Sequence, residues 1–323
     1  MKTLVALFAL LLSLPLLAAS EDRLVIGAEG GKSVAIIDPG DNNRVLWEFN
    51  LDGPVHALHL LPNFNILTQN GWQNFVELNL KKNTVWSYDA ATTNRVSQEG
   101  KLELHAIQRL DDGSTMIAES GSSRIIEVDS DGKLTKTFPL QVTESNGHSD
   151  TRQVHKLDNG HYLVAHEADQ IVKEYDAEGE VVWEFPIPLF GKEIAKGHGP
   201  EAFGGRCFSA IKARNGNYLI ATGNGHSVLE VTPEKEVVWK LEQNDLEGIT
   251  LAWVTTLREL DNGNLIVGNC HAGPDNPQII EVTREKKVIW SFKDFETFGN
   301  ALAVSLVVDG EEAKNLRARI NER

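Results

Sequence analysis

Four short apolar runs separated by turn residues recur along most of this chain, and the clearest copy is Arg152–Phe185. There Gln153–Leu157, Tyr162–His166, Ile171–Tyr175 and Val181–Phe185 alternate with the turns Asp158-Asn159-Gly160, Ala168-Asp169 and Ala177-Glu178-Gly179. Alternation with a period of two, β-branched and aromatic residues, and Asn-Gly turns specify antiparallel strands joined by hairpins.

Further copies span Val55–Tyr88, His105–Phe138, Cys207–Leu241 and Trp253–Phe292, and Leu24–Phe49 supplies three more strands. Turns after the first strand fall in register at Pro62-Asn63, Asp112-Gly113, Asn159-Gly160, Asn215-Gly216 and Asn262-Gly263. Fourth strands carry Trp47, Trp86, Trp183, Trp239 and Trp290; only the third unit departs, with Lys136. A period of roughly fifty residues is that of four-stranded propeller blades. The first unit lacks an opening strand, and the apolar run Leu302–Val308 is one strand to spare. Joining residues 302–308 to the strands of 24–49 completes a sheet and removes the exposed edges of an open stack. The expected fold is therefore all-β, a six-bladed propeller of antiparallel blades. Its fourth-strand tryptophans are read as packing between blades.

The chain ends divide from this unit. Residues 1–20 read as a secretory signal peptide: Lys2, the apolar run Leu4–Leu17, then Ala18-Ala19-Ser20 as a small-residue cleavage site. No other segment is long and apolar enough to span a bilayer. The expectation is an exported protein, periplasmic or secreted, with no membrane attachment after cleavage. Residues 21–310 form one propeller domain. Residues 311–323 are a charged tail in which Leu316 and Ile320 stand at helical spacing, either a short surface helix or a frayed end. A net charge of −15 opposes nucleic-acid binding, which needs a basic face. The two cysteines, Cys207 and Cys270, could pair in an oxidising compartment or remain buried thiols.

Strand direction alternates within a blade, so the start of strand one, the turn between strands two and three, and the blade-to-blade connection share one face. Chemistry-bearing residues gather there. His56 and His105 open their first strands, at positions matched by Arg152, Phe208 and Thr255. Turns between strands two and three carry Glu29, Gln69, Glu119, His166 with Glu167, His226, and Asn269 with His271. Connections add His148, His198 and, beside the fifth unit, Arg206. Imidazoles, guanidinium groups and carboxylates on one rim suit a small anionic or polar ligand, or acid–base work. The candidate ligand-binding set is Arg152, Glu119, His166, Glu167, His198, Arg206, Asn269 and His271, with His56 and His105 as candidate catalytic residues. A protein partner on the same rim is the other binding reading. No residue is assigned to a metal, because no HxH or HExxH spacing occurs; a divalent ion would need ligands from several blades. No organic cofactor is expected, for the Gly-rich pieces lack the helix of a phosphate loop.

Two resemblances follow from these motifs. Asp176-Ala177-Glu178-Gly179-Glu180-Val181-Val182-Trp183 resembles the repeat of pyrroloquinoline-quinone-type propellers, without its Thr before Gly. The run His56-Ala57-Leu58-His59-Leu60-Leu61-Pro62-Asn63-Phe64-Asn65-Ile66-Leu67, echoed at His105–Gly113, resembles the first strands of arylsulfotransferase-like propellers, which have six blades. The second resemblance implies an enzyme in which a channel-mouth histidine takes a sulfuryl group from one phenol ester and passes it to another. By position, His56 or His105 would be that nucleophile and Arg152 the sulfate-binding cation. A scaffold without pocket chemistry is the remaining expectation.

Overall fold

The computed structural model describes residues 22–28, 33–93 and 101–322. The proposed signal peptide and Glu29 lie outside them. Six four-stranded antiparallel sheets form a ring. Blade 1 holds β1 (Arg23–Ala28), β2 (Ser33–Asp38) and β3 (Arg44–Asn50). Blade 2 holds β4 (Leu58–Leu60), β5 (Ile66–Gln69), β6 (Asn74–Leu78) and β7 (Thr84–Asp89). Blade 3 is β8 (Glu103–Arg109), β9 (Thr115–Ser120), β10 (Arg124–Val128) and β11 (Leu134–Pro139). In blade 4 these are β12 (Val154–Lys156), β13 (Tyr162–His166), β14 (Ile171–Tyr175) and β15 (Val181–Pro186). Blade 5 comprises β16 (Ser209–Lys212), β17 (Tyr218–Ala221), β18 (Val228–Val231) and β19 (Val237–Leu241). Blade 6 comprises β20 (Val254–Glu259), β21 (Leu265–Asn269), β22 (Ile279–Val282) and β23 (Val288–Phe292).

A one-turn helix α1 (Phe295–Phe298) leads to β24 (Val304–Asp309), which pairs antiparallel with β1 from Arg23↔Asp309 to Ala28↔Val304. That is the closing strand expected from the sequence. Arg23 clasps the closure: its Nε bonds Asp309 at 2.5 Å and its Nη1 lies 2.8 Å from Glu281 of blade 6. The charged tail forms helix α2 (Gly310–Asn321), with Ala313, Leu316 and Ile320 buried against blades 1 and 2.

The core is not central. Six apolar clusters each join one pair of neighbouring blades. Alternation explains how one strand serves a seam: Trp183 and Phe185 are buried, whereas Val182 between them is exposed. Val85 and Val238 likewise face solvent at the outer rim, where the outermost strand has no further strand to cover it.

The tryptophans do pack between blades, and they also bond. Trp47, Trp86, Trp183 and Trp239 each donate Nε1–H to a turn carbonyl of the next blade: Leu80, Ser130, Pro233 and Arg284, at 2.8–3.1 Å. Opposite each fourth-strand position of blades 2 to 6 stands a buried glutamate: Glu77, Glu127, Glu174, Glu230 and Glu281. Each meets a cation from the next blade, Arg109, Lys156, Lys212, Arg284 and Arg23 respectively. A carboxylate taken from water needs such a partner, so these pairs fix which blade face meets which. Where Lys136 replaces tryptophan, its ammonium lies 5.2 Å from the Tyr162 ring of the next blade.

Candidate functional site

First-strand starts from blades 2 to 5 converge on one end of the channel. His56, His105, Arg152 and Phe208 are neighbours there, as their matched register requires. The ring of His105 lies 5.0 Å from that of His56, and His56 lies 6.3 Å from Phe208. Trp72, in the turn between β5 and β6, stacks on His56 at 5.5 Å and 21°. His148 closes the group edge-on, 5.3 Å from Trp72 and 5.9 Å from His105. Its loop is built by Asp150, whose carboxylate accepts from Ser120 Oγ, Gly121 N and Ser123 Oγ of the preceding blade. Asn146 then accepts the His148 backbone N–H at 2.9 Å, fixing the turn.

A chain of charge-assisted bonds runs through these residues. Arg152 donates Nη1–H to His105 Nδ1 at 2.8 Å and Nε–H to Glu167. A guanidinium only donates, so Nδ1 carries the lone pair and the neutral ring has its proton on Nε2. Nε2–H faces Glu103 at 3.3 Å and the Gly147 carbonyl at 3.2 Å. Glu103 also receives His148 Nδ1 at 2.9 Å and Lys101 Nζ. Glu167 receives exposed Arg206 at 3.4 Å as well. Three permanent cations thus meet two buried carboxylates, a locally positive rim on an acidic protein.

The two candidate catalytic histidines differ. His105 is fully buried and its lone pair is occupied, so it is a bridge between Arg152 and Glu103 and not a free base. Burial and then Arg152 hold its pKa down to about 4. His56 has no ring hydrogen bond among the described residues, and its Nδ1 is enclosed without a partner. Burial first, then His105, Arg152 and His148, push its pKa well below the ordinary value. It therefore presents a neutral imidazole with an unused lone pair. Arg152 Nη2 also has no protein partner among the described residues.

Other sequence candidates fall elsewhere. Glu119 pairs with Arg124 across its own hairpin. His166 is buried, bonded through Nδ1 to the Asp150 carbonyl and through Nε2 to Tyr175 Oη at 2.9 Å, with nothing left for a ligand. Asn269 is buried holding the Ala252 N–H and the Thr250 and Pro277 carbonyls. His198 and His271 form a separate group with Trp253, centroids 5.3–6.3 Å apart. His226 supports it, accepting the Trp253 N–H at Nδ1 and donating to the Ala202 carbonyl. Trp253, His226 and His271 all have positive φ, a costly backbone for such residues. Both cysteines are free. Cys207 points at the His166 and Ile171 carbonyls of blade 4, and Cys270 bonds the His271 ring.

Glu103, His105 and His148 could by proximity hold a metal ion, their ligand atoms lying within 4.8 Å of one another. The bond polarity opposes it. Binding through His105 Nε2 would move the proton to Nδ1, against the Arg152 donor, whereas ligating imidazoles are ordinarily backed by an acceptor. Sequence reading missed Trp72, Glu103 and Lys101. Signals for two were present: Trp72 and Trp253 are the only tryptophans outside fourth strands, and both lie against histidines. Glu103 stands two residues before His105, which a register shift between Leu104 and Ala106 brings within 3.3 Å of its carboxylate.

Acid should weaken the fold in two stages. His105, His155 and His166 are held near pKa 4, chiefly by burial, below the ordinary 6.5. Between about pH 6.5 and 4 the unfolded chain binds more protons than the folded one, so stability is complete above that window and is lost as pH falls through it. Burial raises the Glu103 carboxyl, but bonds from His105, Lys101 and His148 outweigh it and lower the pKa to about 2. That stabilisation disappears further down, between about pH 4.5 and 2. Urea midpoints measured from pH 8 to pH 4 should decline below 6.5, with a shallower decline for His166→Gln. A flat profile would contradict the assignment of neutral buried imidazoles.

Fold and site together define a six-bladed β-propeller with a histidine-rich channel mouth. Comparison with solved structures agrees with this fold. A protein of unknown function from Bacteroides caccae superposes with a TM-score of 0.73 at 22% identity, over 90% of this chain and 100% of that one. A streptogramin B lyase follows at TM-score 0.56 and 14% identity, over 88% and 85% of the two chains. Virginiamycin B lyase from Staphylococcus aureus gives 0.55 at 12%, over 91% and 82%. At these identities the likeness carries the fold alone. No model of a protein family matches the chain, and no curated protein matches it.

Proposed function

We propose that this chain is an exported propeller that binds a small anionic or polar ligand at the His56–Arg152 mouth. The observation that carries the reading is the His56 imidazole: a buried, unpartnered nitrogen beside a guanidinium with a spare donor. A buried polar atom left unbonded is costly, and a ligand polar group would satisfy it. Trp72 offers an aromatic face next to that nitrogen, and Arg206 adds positive charge at the entrance. Export rests on the N-terminal pattern alone; sequencing the secreted protein should find its first residue at or next to Glu21.

A second reading, sulfuryl transfer, is favoured by the difference between the two histidines. His56 can attack the sulfur of an aryl sulfate through its lone pair. The S–O(aryl) bond then breaks, the phenolate leaves, and Arg152 balances the sulfuryl oxygens. An acceptor phenol gives its proton to the released phenolate, directly or through solvent; its oxygen bonds the sulfur, the N–S bond breaks, and the imidazole is restored. His105, its lone pair engaged, would position Arg152 and not react.

One probe tests both readings. 4-Nitrophenyl sulfate should bind wild type at least tenfold more tightly than His56→Ala, measured by calorimetry. Equal affinities would sink the mouth as the binding site. Release of 4-nitrophenol in the presence of phenol, lost in His56→Ala, would establish transfer; binding without release would leave the binding reading alone.

A further inference from the structure

Beneath the histidine cluster the channel widens into a cavity of about 450 Å³. Phe208 and Gln153 lie between the two spaces: both line the cavity, while Phe208 also packs near His56 and Gln153 donates to the His56 carbonyl. The walls are first strands. Leu58, Ile211, Leu257 and Leu306 supply apolar surface, and His59, His155 and Arg258 occupy one matched register further along. The volume is that of an ordinary small-molecule site.

The charges of this lining are unequal. Lys212 is paired with Glu174, Arg214 with Asp261, and Glu259 with Arg284. Arg258 has no carboxylate partner among the described residues; its Nη1 bonds only the Val307 carbonyl, at 2.6 Å. Thr255, fully buried on the cavity wall, has an Oγ1 with no partner. His155 has no hydrogen bond among the described residues and stays neutral, burial and His59 lowering its pKa to about 4.

From these features we infer that the lower channel is a second binding site, for a small organic carboxylate whose anionic end meets Arg258 and whose apolar body fills the space below Phe208. A cation there would face the Arg258 guanidinium, which has no carboxylate partner among the described residues, and electrostatics opposes that. A neutral ligand would leave that guanidinium unbalanced. Leu58, Ile211, Leu257 and Leu306 give the space an apolar portion that a small inorganic ion such as sulfate would leave unfilled, whereas the alkyl body of a carboxylate covers it. The imidazoles of His59 and His155 and the Thr255 hydroxyl remain to bond polar substituents along the body.

Hexanoate, hexylammonium and hexanol are the probes, titrated calorimetrically into the full chain. Hexanoate should bind with one-to-one stoichiometry, hexylammonium should not bind, and hexanol should bind at least tenfold more weakly than hexanoate. Arg258→Gln should weaken hexanoate at least tenfold. Leu306→Trp, which fills the cavity without touching a charge, should abolish binding in a protein whose melting temperature matches wild type. Equal affinity for hexanoate and hexylammonium, or unchanged hexanoate binding in either variant, overturns the inference, as does absence of hexanoate binding at millimolar concentration. If Arg258→Gln does not fold, Leu306→Trp and the comparison of probes decide.

Discussion

An Arg152→Met protein should unfold with about 3–5 kcal/mol less free energy than wild type, the scale expected when one partner of a buried ion pair is removed. Two groups are stranded by that change. Glu167, only 2% exposed, would keep only the exposed Arg206 as a counter-charge, 3.4 Å away. The His105 Nδ1 acceptor would lose its donor within a fully buried ring. Arg152→Lys should lie between the two, because an ammonium cannot span Glu167 and His105 with a planar fork. Urea unfolding at pH 7, with an unchanged denaturant slope, is the measurement. A loss below about 1 kcal/mol would mean that the network is slack and that Arg152 is not held for a ligand.

Truncation after Ala301 should have the larger consequence. It removes β24 and α2, and with them every hydrogen bond along one edge of β1. Val304, Val308, Ala313, Leu316 and Ile320 leave the seam between blades 1 and 2, and Val307 leaves the seam with blade 6. An open edge of apolar strand pairs with other chains, so the expected product is aggregated or devoid of a cooperative thermal transition. Ending the chain after Asp309 removes the helix alone and should give a folded protein of lower melting temperature. A truncated chain that melts like wild type would refute closure by the last strand.

The architecture was legible because its signals are local and repeated. Asn-Gly turns and period-two runs recur at matched spacing, and the spare strand at Leu302–Val308 announced the closure. The glutamate ladder was not read, since a glutamate within an alternating strand looks like a solvent-facing residue. Its burial depends on a cation supplied by the following blade, which no single repeat reveals. The site was half legible for the same reason. Register correctly brought His56, His105 and Arg152 to one rim. Which imidazole is free, however, is decided by neighbours distant in sequence, and His56 and His105 occupy equivalent positions with different bonding. His166 and Asn269 lie at the rim by topology yet are consumed by backbone and Tyr175 partners. Composition of a turn does not say whether its side chain points outward or is spent holding the turn.

The clasp made by Arg23 has a temporal meaning. It joins the first strand to Asp309, 286 positions away, and to Glu281 of the preceding blade. During synthesis five blades can emerge while β1 still waits for its partner, because contacts so far apart in the chain form late and slowly. Until the last strand arrives, the nascent protein carries an unpaired edge at its beginning, open to misassociation. The first strand therefore needs shielding longest, whereas the mouth residues His56, His105, Arg152 and Phe208, all from blades 2 to 5, emerge before the closing strand.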